Sequence, residues 1–204
     1  MIPLNNYITI RKGSSTIKVN DKNVFSIVRE QIKILGNDAD LNHIDVSDCT
    51  HLTENNTIFT KGLFENTDFC GDVSEWKTEK CTNMNSMFAG CSAFNCDLSN
   101  WDVSNVIQMR KMFYKCYNFE QDLSMWDTKS ARNMTSMFEE CWHFRCDLSK
   151  WDVSKVFSFE RMFYHCTNFD SDLSGWDVSS ANMYSKMFTG VVNLKNKKQP
   201  KFNI

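Results

Sequence analysis

The 204-residue sequence predicts an α/β solenoid of about 25-residue repeats, entered through an atypical N-terminal cap. Three observations carry that reading. Phe88, Phe113, Phe138, Phe163 and Phe188 fall 25 residues apart, and so do Trp76, Trp101, Trp126, Trp151 and Trp176. A long spelling, MF-x-x-C-x-x-F-x-x-D-L-S-x-W-D, returns from Met87, Met112, Met137 and Met162. A fixed period of this length means one supersecondary unit copied in series, each copy burying its apolar face on the next.

The composition fits a packed chain: 42% of residues are apolar and 24% charged, which argues against disorder. The formal net charge of -2 gives no broad pull toward nucleic acid or acidic lipid. No stretch reaches the length of a membrane span. The start, MIPLNNYITIRKG, has no basic region followed by an apolar one. The expected location is therefore cytoplasmic or particle-associated.

Residues 1–37 lack the repeat and read as the cap. Tyr7–Ile10 and Thr16–Val19 alternate around Lys12-Gly13-Ser14-Ser15, a hairpin pattern. Val24–Leu35 carries apolar residues at helical spacing and is followed by Gly36, which predicts a short helix. The repeat array is expected over 38–194. Asp40–Ser47 aligns without a gap to Asp97–Ser104, with Ile44 in place of Trp. Eight extra residues within the polar stretch 48–60 read as a loop bulging from the first coil. Residues 195–204 form a basic tail that stops the array.

Within one copy, Val106, Met109, Met112, Phe113 and Cys116 fall at offsets 0, 3, 6, 7 and 10, which predicts a three-turn helix with one apolar face. Asp102 or Ser104 would cap its start. The segment from Phe94 to Trp101 reads as a brief extended rung with tight turns, its neighbours about 4.8 Å away if they form a parallel sheet. Buried aromatics should then stack in one Trp column and two Phe columns.

Several recurring residues imitate active-site chemistry. Asp97, Asp122, Asp147 and Asp172 resemble a catalytic series, but identical charges in a column repel unless satisfied, so each is expected to cap turn N–H groups of its own coil. Cys91, Cys116, Cys141 and Cys166 recur with Phe and Met and read as small buried side chains. Cys91/Cys96 and Cys141/Cys146, with His143 and His165 nearby, have no familiar zinc spacing. The scattered His and the seven Gly provide neither a thiol-nucleophile signature nor a nucleotide-binding loop. The expectation is no enzyme, no cofactor and no metal.

The run MF-x-x-C-x-x-F-x-x-D-L-S-x-W-D-V-S-x-V-x-x-M strongly resembles the BspA-like repeat family, the mycoplasma lipoprotein-type (DUF285) repeat, over about residues 38–194. The resemblance implies a leucine-rich-repeat-like solenoid and a role in adhesion or other protein recognition. Cell-surface location is implied by the resemblance alone, since the chain shows neither a signal segment nor a lipoprotein cysteine. Related repeats also occur in proteins of large DNA viruses, so a structural part of a virion or surface layer is the alternative, with self-assembly left open. A thiol or metal-dependent enzyme is the least favoured alternative.

Function is best sought where copies disagree. After the repeated Cys the copies read Ser92-Ala93, Tyr117-Asn118, Trp142-His143 and Thr167-Asn168. Aromatic and Arg side chains at positions the repeat does not specify are candidate contacts for a protein partner. Tyr117, Trp142 and Arg145 are the expected patch.

Overall fold

The computed structural model describes residues 16–54, 61–194 and 198–202. It opens with β1 (Ile17–Asn20), α1 (Val24–Leu35) and β2 (Ile44–Asp48). The two strands pair in parallel, Ile17 opposite Ile44 and Lys18 opposite Asp45, with α1 as the crossover. The helix turns Val24, Val28 and Gln31 to the core. Its end is set by Gly36, whose φ of 98° leaves the helical region while its N–H still reaches the Ile32 carbonyl at 2.8 Å. The second arm of the expected hairpin, Thr16–Val19, falls on β1, which takes β2 as a parallel partner. The first arm, Tyr7–Ile10, lies outside the described residues.

The chain on either side of residues 55–60 pairs with itself. Thr53 bridges Gly62 in antiparallel fashion, and Leu52 is buried. Residue 62 must be glycine: a Cβ there would stand 1.9 Å from the Ser86 carbonyl oxygen.

From here successive coils stack in register, and their local structure corrects the helix expected in every copy. Among the described residues α1 is the sole α-helix, and each repeat is instead a chain of tight turns. In one coil the N–H groups of Val106, Met112, Tyr114, Cys116, Phe119 and Trp126 each bond the carbonyl three residues back. Three-residue turns bring every third side chain inward, so Val103, Val106, Met109, Met112, Cys116 and Phe119 are all buried. This near-three period mimics a helical stripe in sequence. Left-handed backbone recurs at Ser86, Lys111, Ser136, Arg161 and Lys186, and again at Gly90, Lys115, Glu140, His165 and Gly190, which no continuous α-helix accommodates.

The intervening N–H groups face the next coil. Met84, Ser86, Phe88 and Gly90 donate to Gln108, Arg110, Met112 and Tyr114 at 2.7–2.9 Å, and the pattern returns from Met109, Met134 and Phe159. Backbone donors are thus shared alternately between a coil's own turns and its neighbour. Parallel bridges run through this segment at Asn83, Gln108, Asn133, Ser158 and Met183, and the first coils are also bridged at Asp40 and Asp72. From Phe94 to Trp101 the expected tight turns form, and the parallel pairing between rungs does not. The segment is turned by Trp101 N–H to Leu98 O, and an Asx turn takes a further N–H, so side chains make the links between coils there.

Those links form columns. Each Trp indole N–H donates to a carbonyl of the preceding coil: Trp101 to Val73, Trp126 to Leu98 and Trp151 to Leu123, all at 3.0 Å. Phe64, Phe88, Phe113, Phe138, Phe163 and Phe188 stack with centroids 5.3–5.9 Å apart. A second column runs from Phe69 through Phe94, Phe119 and Phe144 to Phe169 at 6.0–6.1 Å. At the far end residues 198–202 fold onto the last coils: Phe202 stacks on Tyr184 at 4.1 Å, and the Lys198 carbonyl accepts from Leu173 N–H. Among the described residues no helix is long and apolar enough to cross a membrane.

Candidate functional site

The repeated polar residues are spent on the coil. Asp97, Asp122, Asp147 and Asp172 each accept the N–H of the Ser two residues on, at 2.8–3.0 Å. The Ser124 and Ser149 bonds hold the Asp122 and Asp147 carboxyls below the usual carboxylate range. Asp102, Asp152 and Asp177 form the same Asx turn with Ser104, Ser154 and Ser179, in place of the helix cap expected for Asp102.

The recurring Cys are more than small apolar fillers. Cys91, Cys116 and Cys141 donate their S–H groups to the Phe64, Phe88 and Phe113 carbonyls of the preceding coil at 3.1, 3.0 and 2.8 Å. The other Cys column bridges differently. Cys146 Sγ accepts Leu123 N–H at 3.1 Å and donates to Asp122 at 3.3 Å. Ser171 repeats both bonds one coil later, to Leu148 and Asp147. A hydroxyl and a thiol are interchangeable in that role, which explains why the spacing fits no metal motif. Among the described residues no three His, Cys, Asp or Glu are placed to hold a metal ion.

All nine Cys are free thiols, and burial pushes Cys91 and Cys146 up to about 12. Cys70 is exposed, Cys96 is intermediate and the other seven are buried. Native protein titrated with a water-soluble disulfide reagent should therefore react fast at Cys70 and more slowly at Cys96. The buried set should react only on unfolding. Prompt labelling of Cys116 or Cys141 in folded protein would contradict the ladder.

The sequence-derived patch is partly assembled. The turn after each ladder Cys sets Tyr117 and Trp142 outward on adjacent coils, and His143 N–H bonds the Tyr117 carbonyl at 3.3 Å. Their rings stack with centroids 4.2 Å apart and planes 22° from parallel. Trp142 remains 44% exposed. Arg145, three residues on, has a 71% exposed side chain and stands 3.8 Å from Glu120. It lines a cleft of about 260 Å³ with Asp122, Ser124, Asp147 and Lys150. The aromatic pair and the Arg145 cleft are thus neighbouring features on the same two coils.

A second constellation was not anticipated. Glu139 is nearly buried, its side chain 4% exposed, and receives a bidentate pairing from Arg161 of the next coil. Burial pushes the Glu139 carboxyl up, but the Arg161 bonds outweigh it and hold the group below its usual range. The guanidinium also lies 4.0 Å from the Tyr164 ring centre. One double-coil earlier, Lys111 and Lys115 flank Tyr114 at 5.0 and 5.2 Å. The signal was in the sequence as a 50-residue alternation: K-M-F-Y-K at 111–115 returns as R-M-F-Y-H at 161–165, while the copy between, S-M-F-E-E at 136–140, lacks the Tyr.

Searches among curated proteins and among solved structures found no match. A family model described as "Mycoplasma protein of unknown function, DUF285" matches residues 35–145 and again 97–202. The doubled match follows the repeat, since the same coils can be read in two registers. Together the two matches span most of the chain, so it belongs to the DUF285 family.

Proposed function

We propose that this chain is a non-enzymatic, leucine-rich-repeat-like solenoid that recognises another protein, as in adhesion, through side chains the repeat leaves variable. The single observation that supports this reading most is the outward Tyr117–Trp142 stack on two adjacent coils whose repeated Phe and Trp residues are buried. Large aromatics at exposed positions supply contact area at low entropic cost, and a nearby Arg supplies charge-assisted bonds. The polar residues that could suggest catalysis are engaged in turns and inter-coil links, which favours scaffold over enzyme.

The test is capture of partners on immobilised protein, with wild type and a Tyr117→Ala/Trp142→Ala variant compared side by side. Loss of two central anchors should weaken a specific partner by about 2 kcal/mol or more, roughly 30-fold in Kd. Equal retention by both proteins, with matched unfolding curves, would remove Tyr117 and Trp142 from the interface.

A further inference from the structure

A different column carries a surface that the repeat does not require. Ile107, Arg132 and Phe157 occupy one position on three successive coils, joined by Arg132 N–H to Ile107 O at 3.0 Å and Phe157 N–H to Arg132 O at 2.9 Å. The same position is Thr82 and Asn182 in the flanking coils, so nothing in the fold demands bulk there. Yet Ile107 is 40% and Phe157 38% exposed. Beside the column runs a groove of about 520 Å³ lined by Lys80, Glu79, Asn105, Ser130, Arg132 and Lys155, among others. Lys80 is paired with Asp48, whereas Arg132 and Lys155 take part in no ion pair among the described residues. Two unpaired cations flanked by two exposed apolar side chains thus sit on a chain whose overall charge is -2.

We propose that this groove docks an extended acidic segment of a partner protein, with a carboxylate on Arg132 and apolar side chains against Ile107 and Phe157. Charge complementarity selects that occupant. A guanidinium meets a carboxylate in bidentate fashion, and Lys155 adds a second cation alongside. Nucleic acid fits poorly, because a phosphate backbone needs a run of cations, whereas the groove has Arg132 and Lys155 beside Glu79 and a Lys80 already paired with Asp48. A second copy meeting this surface about a twofold axis would set Arg132 against Arg132. The groove shares no lining residue with the Arg145 cleft, so the inference stands apart from the Tyr117–Trp142 reading.

The probe is a fluorescein-labelled peptide, Ser-Leu-Ser-Glu-Ser-Leu-Ser, which places Leu, Glu and Leu on one face when extended. A matched peptide carries Lys for Glu. Saturable binding of the Glu peptide is expected, weakened about tenfold by Arg132→Glu and by raising the salt to about 0.5 M. The Arg132→Glu variant should in turn prefer the Lys peptide, a reversal that general loss of structure would not produce. The proposal is overturned by equal binding of the two peptides to wild type, or by no saturation up to millimolar peptide. Displacement of the Glu peptide by oligo-dT at lower concentration, or self-association abolished by Arg132→Glu, would also overturn it.

Discussion

Replacing Trp126 with alanine is expected to cost about 3–5 kcal/mol, the range for deleting a large buried aromatic. The indole packs at 6.3 Å from both Trp151 and Phe113, and its N–H closes onto the Leu98 carbonyl. The lost hydrogen bond is the smaller part. Leu98 O keeps a second donor, the backbone N–H of Trp101 at 3.1 Å, so no orphan acceptor remains. The cost is the void. Coils above and below are held in register by their own backbone ladders and cannot collapse into the gap without breaking bonds. Urea unfolding should show a lower midpoint with an unchanged slope if the array still unfolds as one unit, and a split transition if the void uncouples the two halves. A variant with the wild-type midpoint would refute the Trp column as a source of stability.

Arg161→Ala is expected to be equally damaging, about 3–5 kcal/mol near neutral pH, because it strands the buried Glu139 carboxylate without its counter-charge. Glu139→Gln should cost less, since it removes the charge together with the need to pair it. The pH dependence separates this mechanism from lost packing. In wild type the Glu139 carboxyl is held below its ordinary value of 4.5, so its contribution is fully present above that value and is lost as pH falls through the folded pKa. In Arg161→Ala, burial, the largest influence on the carboxyl, is opposed only by the Ser136 hydrogen bond and the Lys111 charge, so the carboxyl is expected to rise and the folded variant to take up a proton at higher pH than wild type. The stability gap between the two proteins should narrow as pH falls from 7 toward 4. A gap independent of pH would mean that Arg161 contributes through contact with Tyr164 and not through charge.

The contrast between the two residues shows what was legible. Trp126 announces itself by recurrence: a residue that returns every 25 positions with Phe, Met and Leu occupies an equivalent buried place, whatever the local backbone does. The Asp series was readable for the same reason, since a column of identical carboxylates demands local satisfaction and Asp-x-Ser spells an Asx turn. Arg161 could not be read that way. Its partner Glu139 lies 22 residues away and has no counterpart in most copies, so only stacking brings the two together. The Ile107–Arg132–Phe157 column was equally hidden, because three unlike residues 25 apart look like drift until their N–H and carbonyl groups are seen to join.

The secondary structure of the repeat marks the other limit. Offsets of 0, 3, 6, 7 and 10 suit a helix of 3.6 residues per turn and also a polygon of three-residue turns. The residues that decide between them, Lys111 and Lys115 or Arg161 and His165 with positive φ, are not the glycines that normally advertise a left-handed turn. Periodicity by itself determined the repeat length, the buried residues and the columns, because burial repeats whenever the chain does. Tertiary structure alone decided which amides serve their own turn and which serve the next coil. That choice depends on a neighbour being present to accept them, and an isolated repeat has none.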